Sequence, residues 1–282
     1  MSLTYFENRQ IVIATKHRKE QVIAPILKKE LNLRPLILPH LDTDLFGTFT
    51  GEVERDLDPL STARKKCNWA LDQSGYDLAL ASEGSFGPHP SLVFVNADDE
   101  ILLLLDRANN LEIVVREIST QTNFASTRIE SEKELFEFAA QVQFPSHALI
   151  LRPSSSSKEA IFKGIQQEKD LLKAFRLLRN QYSSIQVETD MRALFNPSRM
   201  LVIEKACLQL VEKLKNGCPQ CQTPGFGVVE RKKGLPCAQC GFPTESTLSH
   251  IYKCQNCAYE KEVRYPRAKK FEEPGYCNFC NP

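Results

Sequence analysis

Eight of the ten cysteines in this 282-residue chain fall within its last 65 residues, as four Cys-x-x-Cys pairs: Cys218/Cys221, Cys237/Cys240, Cys254/Cys257 and Cys277/Cys280. A Cys-x-x-Cys turn aims two sulfurs at one point, and two such turns complete a tetrahedral shell for Zn²⁺. Eight thiols therefore imply two four-cysteine sites and two structural zinc ions. Two arrangements fit the spacing. Sequential sites would use C-x2-C-x15-C-x2-C and then C-x2-C-x19-C-x2-C. An interleaved alternative joins the first pair to the last and the two middle pairs to each other. The segment around residues 1–8 is polar and no apolar run follows it, so a reducing, cytoplasmic setting is expected, where such thiols hold metal rather than form disulfides.

Four thiolates leave no open coordination position, so these metals are expected to support structure rather than chemistry. The tail is poor in large apolar residues and depends on metal for stability, at about 10–16 kcal/mol per site. From Cys218 to Pro282 there are nine Lys/Arg and six Asp/Glu. Eight thiolates and two Zn²⁺ bring that surplus to about −1. Nucleic acid as a partner of the tail is thus open but not favoured, although Arg231–Lys233 and Lys269–Lys270 make short basic clusters.

The whole chain carries a net charge of +1 and is 42% hydrophobic, which suits one substantial core plus a small appended module. No run reaches the 18 or so apolar residues of a membrane span. The expected organisation is an α/β domain over 1–216 and a double zinc-ribbon domain, with four cysteines per metal, over 217–282.

Strand-like and helix-like periods alternate over the first part. Strands are expected at Ile11–Ala14, Pro35–Leu38, Asp77–Ala81, Leu92–Val95, Ile101–Leu105, Glu112–Ile118, His147–Leu151 and Ile185–Thr189. Asp98-Asp99 and Ala108–Asn110 read as turns of an antiparallel meander. Helices are expected over Lys19–Leu31, from Asp58-Pro59 to Gly75, around Lys133–Ala140, after Ser154–Ser157, and from Asn196-Pro197 to Gly217. The fold class is α/β: a mixed sheet covered by helices, followed by the zinc module.

Chemistry in such sheets gathers beyond the carboxyl ends of strands. Thr15-Lys16-His17-Arg18-Lys19 follows the first strand, and Thr15, Lys16, Arg18 and Lys19 are candidates to hold a phosphate or other anion at a helix N-terminus. Ser82–Pro88 reads as a polar turn after the third strand, with Glu83 the candidate catalytic acid or metal ligand. Thr48–Asp58 is acidic, and Glu54 or Asp56 could join Glu83 around Mg²⁺ or Mn²⁺. Arg192 and Arg199 offer forked contacts to phosphate or carboxylate, or pair with Glu188 and Asp190. Cys67 and Cys207 sit on apolar helix faces and read as core.

The layout from Ile11–His17 through Thr48–Asp58 to Ser82-Glu83-Gly84 resembles an uncharacterised bacterial family that joins an α/β domain to a C-terminal double zinc ribbon. Residues 11–120 are also similar in order to the inosine/xanthosine triphosphatases. Those open with a strand and a Thr/Ser-x-Asn-x-x-Lys turn, then carry an acidic segment and a Glu-Gly turn. Thr15 matches that opening; His17 stands for the Asn and Glu20 for the Lys, so Lys16 or Lys19 would replace the lysine. Glu54 or Asp56 could stand for the acidic carboxylate, and Glu83-Gly84 matches the later turn. That resemblance implies Mg²⁺-dependent hydrolysis of a nucleoside triphosphate. The alternative is a non-enzymatic adaptor, in which the ribbons bind protein or nucleic acid and the α/β domain senses a small anion.

Overall fold

The computed structural model describes residues 5–38, 57–154 and 160–282. Two compact units emerge: Asn8–Leu210, and Val211–Pro282 with Met1–Glu7. The Asn8–Leu210 unit contains two sheets. The first has strand order β2-β1-β3-β4-β5, from β1 (Gln10–Ala14), β2 (Arg34–Leu36), β3 (Leu78–Pro88), β4 (Asn96–Asp106) and β5 (Leu111–Ser119). β1 runs parallel to β2 and β3, and β3-β4-β5 is an antiparallel meander. The mixed α/β character expected from the sequence is therefore present.

Local signals account for the helices. Helix α1 (Glu20–Leu31) buries Ile23, Leu27 and Leu31 at helical spacing and ends on a left-handed Asn32. Helix α2 (Pro59–Ser74) starts at Asp58, whose side chain accepts the Ser61 N–H at 3.0 Å. Gly75, at φ 72°, closes it by donating to Leu71 O. Ala63, Cys67, Ala70 and Leu71 of α2 pack on Val12, Ala14, Ala79, Ala81 and Leu103, which defines one face of the sheet.

The second sheet, of order β6-β9-β7-β8, is antiparallel throughout: β6 (Ser126–Ile129), β7 (Leu149–Arg152), β8 (Phe162–Ile165) and β9 (Ile185–Thr189). Helices α3 (Glu132–Gln141) and α4 (Glu168–Arg179) cover it through Leu135, Phe138, Leu171, Phe175 and Leu178. A serine-glutamate capping box, Ser131 with Glu134, starts α3. Helix α5 (Pro197–Lys215) begins after Asn196, whose Oδ1 accepts the Arg199 N–H at 3.0 Å.

Three local expectations are corrected. Ser82–Pro88 is not a turn: it continues β3, paired residue for residue with β4 from Leu78↔Asp106 to Pro88↔Asn96. Leu92–Val95 is the exposed connection of that hairpin rather than a strand, and Asp98-Asp99 lies inside β4. Polar residues resemble turn signals in the sequence, whereas here they occupy the far half of a long hairpin. The acidic segment with Glu52, Glu54 and Asp56 lies outside the described residues, as does most of Ser154–Ser157.

Candidate functional sites

Side chains alternate faces along a strand, so β3 divides its polar residues between two sides of the sheet. Ser82, Gly84 and Phe86 share a face with their β4 partners Leu102, Glu100 and Asp98. Glu83 faces the α2 side, with Ala81 and Leu103.

On the first side, Lys19 Nζ donates to Ser82 Oγ at 2.9 Å and lies 3.3 Å from Glu100 Oε2. Arg199 Nε, from α5, donates to Glu100 Oε1 at 2.6 Å, and both side chains are fully buried. The Arg199 guanidinium also donates to Met191 O and lies 5.0 Å from the Phe86 ring centre. Gly84 makes this possible: a Cβ there would stand 2.3 Å from Glu100 Oε1 and 2.5 Å from Arg199 Nη2. Across the sheet, Lys66 of α2 pairs with buried Glu83.

These charges sit beyond the carboxyl end of β1 and midway along β3, just past the stretch where the two strands pair in parallel. Burial pushes the Lys19 ammonium down to about 8, against the opposing pull of Glu100. Burial and the neighbouring Glu100 push the Asp98 carboxyl up to about 8, against the opposing pull of Arg199 and Lys19. Its Oδ1 is buried with no hydrogen-bond partner among the described residues, and the same holds for Thr15 Oγ1. On this face Lys19 and Arg199 flank Glu100, while Lys66 and Glu83 pair on the other. The turn between β1 and α1 is itself strained, with His17 and Arg18 both left-handed at φ 63° and 61°.

Of the anion candidates, Lys19 and Arg199 are in this cluster and Thr15 adjoins it at the end of β1. Lys16 is half-buried in the same turn and Arg18 is exposed. Arg192 is elsewhere, held by Asp190 and lying 4.6 Å over the Phe195 ring. Of the catalytic candidates, Glu83 is present with a lysine partner, while Glu54 and Asp56 lie outside the described residues. Among the described residues no three carboxylates or histidines converge on one point. Sequence reasoning missed Lys66, Asp98 and Glu100. The signal for Lys66 was available: it falls on the helix face that carries Ala63, Cys67 and Ala70.

The second unit holds two clusters of four cysteines, and their pairing overturns both expected arrangements. Cys218, Cys221, Cys254 and Cys257 form one cluster; Cys237, Cys240, Cys277 and Cys280 form the other. Sheet register is the reason. β10 (Gly227–Lys233), β11 (Thr247–Lys253) and β12 (Glu260–Arg264) form an antiparallel sheet. Gly227↔Lys253 and Lys253↔Glu260 place the first and third knuckles at one end. Lys233↔Thr247 puts the second at the other end. A parallel bridge, Cys237↔Glu272, brings the last knuckle to it.

Paired sulfurs stand 3.7 Å (Cys218–Cys257), 3.6 Å (Cys221–Cys254), 3.9 Å (Cys237–Cys280) and 3.6 Å (Cys240–Cys277) apart. Tetrahedral Zn–S bonds of about 2.3 Å require S···S of about 3.8 Å, whereas a disulfide needs about 2.05 Å. The geometry therefore fits a bound tetrahedral ion. Backbone N–H groups of Gln239 and Asn256 donate to the Cys237 and Cys254 sulfurs at 3.4 Å. Thr223 lowers the Cys221 thiol to about 6 through its hydroxyl, 3.2 Å away, and its backbone. Phe226, Tyr252 and Tyr259 pack around the first cluster.

The profile of a family described as a domain of unknown function, DUF6671, matches residues 66–282. The chain belongs to this family. The matched region of this DUF6671 protein contains all eight clustered cysteines together with Lys66, Glu83, Asp98, Glu100 and Arg199. No curated protein matches it. Among solved structures, it is similar to one titled "Crystal structure of protein VC0702 from Vibrio cholerae", at 9% identity and a TM-score of 0.34, covering 74% of this chain and 96% of that one. At that score the likeness carries no argument about activity. Among the described residues no helix is long and apolar enough to cross a membrane.

Proposed function

We propose that the Asn8–Leu210 unit binds the phosphate groups of a small anionic ligand, a nucleoside triphosphate, and hydrolyses its phosphoanhydride. The observation that supports this reading is the pair of buried cations, Lys19 and Arg199, that flank Glu100 beyond the carboxyl end of β1. Buried cations lower the cost of bringing a polyanion into a low-dielectric site. Lys19 and Arg199 would neutralise charge developing on the transferred phosphoryl oxygens. Asp98, on the same face as these cations, would donate a proton to the leaving phosphate, while Glu83, held by Lys66 on the opposite face, would support the strand that carries Ser82 and Gly84. No step is assigned to Mg²⁺ or Mn²⁺.

The test is release of phosphate and pyrophosphate from standard and deaminated nucleoside triphosphates. It uses the metal-loaded full chain with Mg²⁺, with Mn²⁺ and with neither. Turnover that falls by about 100-fold or more in Lys19→Met is expected; no release from any nucleotide would overturn the hydrolase reading.

The two cysteine clusters, in this reading, hold Zn²⁺, the ion that four thiolates in tetrahedral geometry favour. Thiols in that role suit a reducing, cytoplasmic setting. One observation favours a second reading, an adaptor. Phe242 and Phe279, from two knuckles of the second cluster, stack with ring centres 4.8 Å apart while remaining 53% and 66% exposed. Such aromatic surface suits a protein or nucleic-acid partner. Loss of partner capture on Phe242→Ser and Phe279→Ser, with nucleotide turnover absent, would favour it.

A further inference from the structure

His147 stands apart from the clustered charges and has hydrogen bonds that fix its tautomer. The residue is 3% exposed. Ser146 Oγ donates its proton to Gln143 O at 2.6 Å, so toward His147 Nδ1, 2.9 Å away, it can only accept. Nδ1 therefore carries the ring hydrogen. The other nitrogen gives the same answer independently: the Ser198 backbone N–H donates to His147 Nε2 at 3.3 Å, so Nε2 must hold a lone pair. Ser198 Oγ lies 2.9 Å from that same Nε2, and its hydroxyl is then the closer of two donors sharing the one lone pair. Burial lowers the imidazole below its ordinary value, which keeps it neutral and able to accept.

A hydroxyl donating to the lone pair of a neutral, oriented imidazole is the arrangement that activates serine as a nucleophile. Its surroundings suit that role. Ser198 is half-buried in the first turn of the 19-residue helix α5, whose dipole favours negative charge developing there. It lines a cleft of about 290 Å³ between α5 and the end of β5, with Ser119, Gln121, Leu201 and Leu208 among the walls. Leu201 and Leu208 are 59% and 44% exposed, so the cleft presents apolar surface beside the hydroxyl.

We propose that Ser198 is a nucleophile activated by His147 and positioned through Ser146, acting on carboxylic esters with a short apolar acyl group. Ser198 Oγ bonds to the ester carbonyl carbon while its proton passes to His147 Nε2. The bond from that carbon to the ester oxygen then breaks, and Nε2 returns the proton to the departing alcohol. Water next attacks the acyl-serine, giving its proton to Nε2, and the acid leaves as Ser198 recovers the proton. Ester and water thus become acid and alcohol with no oxidant or reductant. This site is independent of the proposed phosphate site.

The test treats the full-length, metal-loaded protein with a fluorophosphonate probe, maps the adduct by peptide mass spectrometry, and follows p-nitrophenyl acetate hydrolysis in parallel. The expected result is one adduct on Ser198, with both adduct and hydrolysis falling at least tenfold in Ser198→Ala. Ser146→Ala, which leaves the nucleophile in place, is expected to slow labelling several-fold without removing it. An unlabelled Ser198 in protein with an unchanged thermal transition would overturn the assignment. So would equal ester hydrolysis by Ser198→Ala.

Discussion

The close approach at Gly84 sets a quantitative test of the buried cluster. In Gly84→Ala the new methyl would stand 2.3 Å from Glu100 Oε1, the atom that accepts from Arg199 Nε at 2.6 Å. An ordinary carbon–oxygen contact requires that oxygen to retreat by about 1 Å. The same Cβ would stand 2.5 Å from Arg199 Nη2, so both partners must shift and their hydrogen bond is strained or broken. Glu100 and Arg199 are both fully buried, so neither has water to replace the other. Complete loss of a buried pair costs roughly 3–5 kcal/mol, and overpacking with partial adjustment roughly 1–3. Reduced unfolded-state entropy returns about 0.4–1 kcal/mol. The net expectation is a loss of about 2–4 kcal/mol. Gly87 lies on the same strand with nothing within 4 Å of an added Cβ, so Gly87→Ala is the control and should change stability by less than about 0.5 kcal/mol. The chain's single tryptophan, Trp69, lies on α2, so its fluorescence in urea follows the Asn8–Leu210 unit alone. Equal midpoints for the two variants would refute the claim that Gly84 is required by the Glu100–Arg199 pair.

Two further outcomes follow from the same geometry. Because the first cluster joins Cys218 to Cys254, Cys218→Ser with Cys254→Ser should remove one metal per chain by elemental analysis, whereas Cys218→Ser with Cys237→Ser should remove both; sequential sites would reverse this. Asp98, raised to about 8 when folded, binds its proton more tightly in the native state, so its contribution is fully present below about pH 4 and is lost as pH rises toward 8, at up to ~1.4 kcal/mol per pH unit. Asp98→Asn should flatten that decline in urea midpoints between pH 4.5 and 7.5; an unchanged slope would remove Asp98 as its source.

Legibility in the sequence followed the range of the interactions. Helix α2 was readable because Asp58, Pro59 and Gly75 act within a turn of its ends. The eight clustered cysteines were readable because each knuckle is local, but their partners were not. Linear spacing says nothing about the Gly227↔Lys253 register that carries Cys254 to Cys218. The buried cluster was half legible. Lys19, Arg199 and Glu83 stood out at junctions between elements, whereas Glu100 and Asp98 were hidden because two acids near an apolar run look like a turn. Only the pairing of β4 with β3, residue for residue, turns them inward.

Phosphate recognition by the buried cations is the claim on which the proposed activity depends most. Isothermal titration of the full chain with a non-hydrolysable nucleoside triphosphate analogue tests this directly, comparing the unaltered protein with Lys19→Met. Saturable binding that weakens at least tenfold in Lys19→Met, at a temperature where urea titration shows that variant still folded, is the expected result. Absence of binding to the unaltered protein, or equal affinity in Lys19→Met, would contradict it.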